Sequence, residues 1–294
     1  MTAQVWIDKT RDLLLGGTVE TLNRLNGDIT SSAAQLTVEF DAGSIVTGSI
    51  VEIGTELAYV TSVAGTTVSV MRGYGGSAAA AHTSGDIIRS NPQYPGHMIL
   101  TALNDDLNDL SSPRNGLYQV ATVTFTYNST KDGYNLAADV LAVRRVTWVH
   151  TSSDRSEPEV RRFVVKRNRD TAVFASGVAL ILQDLPEPGQ TVRVEYTTGF
   201  TALTDSTTAL SVTGLHGEAY DLPAMGAALA IMSFKPIARE SITQQPPMRR
   251  SEEVPPGAIS ASMRDLRFRR QERIQAEAAR LAQQYPIYWH RSGR

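Results

Sequence analysis

The 294-residue chain contains no cysteine. That excludes disulfides, thiolate nucleophiles and cysteine-type zinc sites, so stability has to come from burial or association. No run of about 18 apolar residues is present, so no membrane helix and no membrane partner are expected. The opening MTAQVWIDKTRDLLLGG lacks a basic segment followed by an apolar one, and the expectation is a soluble chain made in the cytoplasm. Overall charge is nearly balanced, with 28 Lys and Arg against 30 Asp and Glu, which by itself predicts no polyanionic partner. The 41% of hydrophobic residues is ordinary for a folded protein, and the length suits two domains.

Signatures of chemistry are equally sparse. His82, His97, His150, His216 and His290 are scattered, with no H-x-x-x-H pair, and a metal site is not expected. Asp105, Asp106 and Asp109 fall on an expected helix rather than a glycine-containing loop, which reads as a solvated helix face. No G-x-S-x-G elbow occurs. The stretch MRGYGGSAAAAHTSG, residues 71 to 85, offers G-x-G-G but no following lysine, and it leads into a strand pattern rather than a helix. Both features exclude a phosphate loop. Its glycines read as turn residues, with Arg72 and His82 fixing the loop. No catalytic residue, cofactor or metal is expected, and the chain is read as a non-enzyme.

What is there changes period along the chain. Val19, Leu22, Leu25 and Ile29 suggest a short helix after Gly16-Gly17. From residue 30 to 95 short β patterns follow, LTVEF, SIVEIG, ELAYVTSV, TVSVMRG and DIIR, with a hairpin at Ala64-Gly65-Thr66. Asn91-Pro92 and Tyr94-Pro95-Gly96 close this module. In HMILTALNDDLNDL, Ile99, Leu103, Leu107 and Leu110 make one apolar stripe, a helix over 98–112 that needs a partner surface. Between 117 and 200, VATVTFTY, VRRVTWVH, EVRRFVVKR, VALILQDL and TVRVEYTTGF predict an antiparallel sandwich.

The last third reads as helical. A small-residue helix is expected over 218–235, stopped at Lys235-Pro236. After the linker QQPPMRRSEEVPPG, a final helix over 259–285 is expected to be capped by Ser262 and Asp265 and stopped by Pro286. Its packing face would hold Met263, Leu266, Ile274, Ala278, Leu281 and Tyr285. Residues 259–294 carry eight arginines and three acids, a net +5 that leaves −7 on the rest. Acids spaced four residues from arginines, Asp265 to Arg269 and Arg273 to Glu277, favour a helix meeting a protein surface over a DNA reader. The tail YPIYWHRSGR joins aromatic residues to arginine, the composition of an interface anchor.

One resemblance adds to these readings. The run from residue 50 to 95 contains Gly54, Glu56 and Val60, then Arg72, Gly73, Gly76, Ser77, Ala79, His82 and Gly85. With the neighbouring ILTALNDDLNDLSS it resembles head-to-tail connector (portal adaptor) proteins of long-tailed bacteriophages, particularly those of actinobacterial phages, over about a third of the chain. The resemblance implies a structural virion protein of the neck, assembled in the host cytoplasm. It would form a dodecameric ring that binds the portal protein and further neck or tail-terminator proteins, around a channel through which genomic DNA passes without sequence specificity. On that reading Ile99, Leu103, Leu107 and Leu110 pack the ring. Arg264, Arg267, Arg270 and Arg273 face the channel or a partner, and Tyr285, Ile287, Tyr288, Trp289, Arg291 and Arg294 dock on the portal.

The expected fold is α+β: a helical ring-forming part with a small N-terminal β module, an inserted antiparallel β-sandwich-like domain, a long C-terminal helix and an extended tail. The corresponding division is a helical segment 1–29, β module 30–95, helix 96–116, inserted β domain 117–215, C-terminal helices 216–285 and docking tail 286–294. The alternative is a tail-tip or baseplate protein whose β domain binds a host-surface glycan through exposed Trp148, Tyr127 and Tyr134.

Overall fold

The computed structural model describes residues 1–16, 20–149, 157–240 and 258–286. It is a mixed α+β chain in two compact units, one formed by residues 1–107 and 201–275, the other by 108–200 and 276–294.

The first unit opens with helix α1, Ala3–Leu15, ended by Gly16 in the left-handed conformation at φ 58°. This corrects the sequence expectation, which placed a helix after Gly16. Leu22 instead begins strand β1, Leu22–Arg24, and Leu25 and Ile29 form β-bridges. The stripe of α1 is hard to read because Arg11 is among its buried residues while Val5 and Leu13 are exposed.

Five more strands follow: β2 Gln35–Thr37, β3 Ile50–Ile53, β4 Glu56–Ala64, β5 Thr67–Met71 and β6 Ile87–Ser90. Together with β1 they form one antiparallel sheet in the order β1-β6-β3-β4-β5-β2. The β4/β5 hairpin turns at Gly65-Thr66, as the sequence predicts. The two outer strands then meet through the Leu25↔Val38 bridge, with the Asn26 amide donating to the Thr37 carbonyl at 2.8 Å and the Glu39 amide to the Arg24 carbonyl at 2.8 Å. The module is therefore a sheet closed through these bonds into a barrel that begins near residue 22. Leu25, Leu36, Val38, Val51, Val60, Val68, Val70 and Ile88 fill its interior.

Helix α2, Gly96–Leu110, follows the barrel as expected. Ile99, Leu103 and Leu110 are fully buried and Leu107 is 1% exposed within the single chain. That corrects their assignment to ring packing: the stripe is consumed by the chain's own core and offers nothing to a neighbouring subunit. Helix α3, Leu222–Glu240, packs against α1, with Trp6 and Tyr220 edge to face at 5.5 Å. It continues four residues beyond Pro236, because a proline deprives a helix of one hydrogen bond without having to end it. Helix α4, Ala258–Gln284, starts before Ser262, so Ser262 lies inside the helix and is not its cap.

The second unit contains the strands of the expected sandwich: β7 Gln119–Thr126, β8 Tyr134–Asn135, β9 Val140–Val149, β10 Phe163–Lys166, β11 Ala179–Leu182 and β12 Thr191–Thr198. They form two three-stranded antiparallel sheets, β7-β12-β9 and β10-β11-β8. Tyr127, Leu136, Val146, Leu180, Val192 and Val194 belong to one core shared by both sheets.

Candidate functional site

Several residues of the barrel converge on one carboxylate. Glu56 opens β4, and Arg72 follows β5 on the neighbouring strand. Arg72 grips Glu56 with two parallel bonds, Nε to Oε1 and Nη2 to Oε2, both 2.6 Å, the fork geometry that gives arginine its strongest carboxylate contacts. The amides of Gly73 and Ala80 donate to Oε1 and Oε2, and His82 Nε2 lies 2.9 Å from Oε2. Arg72 also donates to the carbonyls of Thr30, Ala33 and Ala80. Burial alone would raise the Glu56 carboxyl, but the bonds from Arg72, His82 and Ala80 outweigh it and hold the group at about 2.

The stretch 71–85 is thus a loop wrapped around an anion that the chain supplies itself. Gly73 and Gly75, at φ 62° and 63°, take the left-handed backbone this wrap requires. Ser77 accepts from the Leu57 amide through its hydroxyl and ties the loop back to β4. The assignment of Arg72 and His82 as loop-fixing residues agrees with this geometry.

A second buried carboxylate joins the barrel to the helices of the same unit. Glu52 on β3 accepts from Arg11 Nη2 at 2.6 Å and from the Gly96 amide at 2.6 Å, so it caps the first turn of α2. Burial pushes the Glu52 carboxyl up, against the pull of Arg11, Gly96 and Arg89. Gly96 has to be glycine, because a Cβ there would lie 2.7 Å from the Gly54 carbonyl oxygen.

The arginine-bearing helix divides by residue. Arg264 and Arg267 are exposed, as a partner-facing role requires, and Phe268 between the basic positions is 63% exposed. Arg270 instead turns inward onto Asp106 at 2.6 Å, with side-chain exposures of 13% and 8%. Arg273 donates to Asp221 at 2.9 Å and to the Glu218 carbonyl at 2.6 Å. Arg270 is thus a structural cation, which corrects its assignment to a channel or partner surface, whereas Arg273 is paired but keeps its side chain 42% exposed. Asp106 is likewise a buried anion rather than part of a solvated face, and it fits because Gly226 on α3 leaves room: a Cβ there would fall 1.7 Å from Asp106 Oδ1. Of the expected pairs along α4, Asp265 to Arg269 is present at 2.9 Å, whereas Glu277 takes Arg280.

In the second unit a cleft of about 740 Å³ is lined by Tyr118, Arg144, Glu195, Thr197 and Tyr285 among others. The Arg144 guanidinium lies 5.6 Å from the ring centres of both Tyr118 and Tyr285. It donates to the Tyr118 hydroxyl at 2.9 Å and to the Tyr285 carbonyl. Tyr285, expected to dock on a partner, is therefore fastened to its own sandwich, a contact without a local signal because Arg144 is 141 residues away. Ile287, Tyr288, Trp289, Arg291 and Arg294 lie outside the described residues.

The aromatic residues of the glycan alternative do not make an exposed platform. Tyr127 and Tyr134 are 5% and 7% exposed, Tyr134 stacks on Phe125 at 3.8 Å, and Trp148 packs half-buried against the same core. Among the described helices none is long and apolar enough to cross a membrane. Compared with known proteins, the sequence matches no family model and no curated relative.

Proposed function

We propose that the protein is a structural component of a bacteriophage neck, a head-to-tail connector that binds the portal and bridges it to the tail. The observation that carries this reading is the use made of six of the ten residues through which the sequence resembles such connectors. Arg72, Gly73 and His82 bind Glu56 directly, Ser77 ties their loop to β4, and Gly54 approaches His82. Residues spent on building a module form a pattern that travels with an architecture rather than with a reaction.

In this function the exposed part of α4, with Arg264, Arg267 and Phe268, meets a partner, and residues 287–294 supply the docking anchor. Ring contacts come from surfaces other than the α2 stripe. Genomic DNA passes the assembled ring without being read. The test is co-sedimentation of the purified chain with rings of the portal protein from the same phage. Full-length protein should pellet with the rings, and protein ending at Pro286 should stay in the supernatant while keeping its circular-dichroism spectrum and melting temperature. Failure of the full-length chain to bind would overturn the reading.

A further inference from the structure

The four edges of the two sandwich sheets are not alike. Strand β8 is two residues long. Strand β10 is bracketed by Arg161, Arg162, Lys166 and Arg167, charges that discourage pairing. Strand β9 is covered on its outer side, where the Trp148 amide donates to the Pro158 carbonyl at 3.0 Å and the Val160 amide to the Val146 carbonyl at 2.8 Å. Strand β7 has none of these protections. It runs for eight residues, QVATVTFT, without a charge, a proline or a bulge in its pairing with β12.

The outward-facing backbone groups of β7 can be assigned. The Tyr127 amide donates to the Gln190 carbonyl at 2.8 Å, and the Gly189 amide donates to the Tyr127 carbonyl, so residue 127 bonds toward the β12 side. Antiparallel ladders alternate. In the register Thr126↔Thr191 through Gln119↔Thr198, the odd residues of β7 therefore bond to β12 and the even ones point away. Val120, Thr122, Thr124 and Thr126 each turn an amide and a carbonyl outward, and none of these makes a hydrogen bond among the described residues. The side chains of Thr122, Thr124 and Thr126 are exposed, whereas Val123 and Phe125 pack on the core.

From this we infer that β7 is a homodimerisation edge, pairing antiparallel with β7 of a second copy about a two-fold axis. The occupant follows from the comparison of edges. With β8, β9 and β10 short, covered or charged, strand pairing between copies has β7 as its available edge on both sides, which makes the contact isologous. An uncharged edge also meets itself without like-charge repulsion. Centring the axis on Val123 sets Thr122 against Thr124 of the second copy and Val120 against Thr126 of the second copy, with outward groups facing outward groups. On the core face, Phe125 falls opposite the small Ala121 of the second copy. Two copies close the pair, so it describes the free chain and does not depend on the ring proposed above.

The test is the mass of the purified full-length protein by light scattering or sedimentation, together with two variants. The wild type should be a concentration-dependent dimer. Thr124→Pro removes an amide that β7 does not use within its own sheet, and Thr124→Lys places a charge on the edge. Each should raise the dimer dissociation constant at least tenfold while leaving the melting temperature close to that of the wild type. Because the chain has no cysteine, Thr122→Cys and Thr124→Cys proteins mixed under oxidation should cross-link faster than either alone. A wild type that remains monomeric up to its solubility limit overturns the inference. So does a folded Thr124→Lys chain that dimerises as well as the wild type, and so does mixing without effect on cross-linking.

Discussion

Arg72 and Glu56 form a bidentate ion pair, with two bonds of 2.6 Å, in which the side chains are 8% and 3% exposed. Removing one member strands the other in a buried position. Glu56→Ala should therefore destabilise the protein by about 3 kcal/mol or more, read as a shift in urea midpoint. Arg72→Ala should cost a similar amount, and the double variant should cost clearly less than the sum. Additive losses would show that the two residues stabilise the loop independently.

The same carboxylate sets an acid limit. Glu56 is held at about 2 in the folded chain against an ordinary 4.5. A folded pKa below the unfolded one gives stability that is fully present above pH 4.5 and is lost as pH falls from 4.5 toward 2. The contribution amounts to about 3 kcal/mol at most. Glu56→Gln should flatten this part of the stability profile, measured by denaturation between pH 5 and pH 2. An unchanged acid slope in the variant would place the titrating group elsewhere.

Gly226 and Asp106 occupy space that only one side chain can fill, since a Cβ at 226 would come 1.7 Å from Oδ1 and 2.0 Å from Cγ of Asp106. Gly226→Ala should cost about 3 kcal/mol or more, because the displaced carboxylate is also the partner of Arg270. In an Asp106→Ala background the same substitution should cost much less. Thermal unfolding of the four proteins in this cycle decides it.

Arg267 and Arg270 separate surface from structure on one helix. Arg270→Ala leaves Asp106 without the 2.6 Å pair and should cost about 3 kcal/mol. Arg267→Glu, at an exposed position, should change stability by about 0.5 kcal/mol or less while weakening binding to portal rings. If Arg267→Glu unfolds the protein and Arg270→Ala does not, the assignment of the two faces is reversed.

What the sequence makes legible here is local. The four-residue spacing of Ile99, Leu103 and Leu107 defines α2, and the β-branched runs around Gly65 define a hairpin, because each depends only on near neighbours. Helix α1 is obscured because a buried arginine interrupts its apolar face, and the partners that let Arg11 be buried, Glu52 and the Tyr94 carbonyl, lie 41 and 83 residues away. Barrel closure through Leu25 and Val38 leaves no mark on either strand taken alone. Asp106 reads as a solvated charge and Arg270 as a channel- or partner-facing one because their mutual burial spans 164 residues. At the loop around Glu56 the reading reached Arg72 and His82 as fixing residues but not the carboxylate that they fix.

The proposed function puts this chain in the neck of a phage particle, between portal and tail, and a cryo-electron microscopy reconstruction of that neck is the deciding measurement. A ring should lie beneath the portal, and the six-stranded barrel with α2, and separately the two-sheet sandwich, should fit into its subunits with Arg264 and Arg267 at an interface. Finding the chain at the tail tip, or finding a neck built without it, would overturn the proposed function.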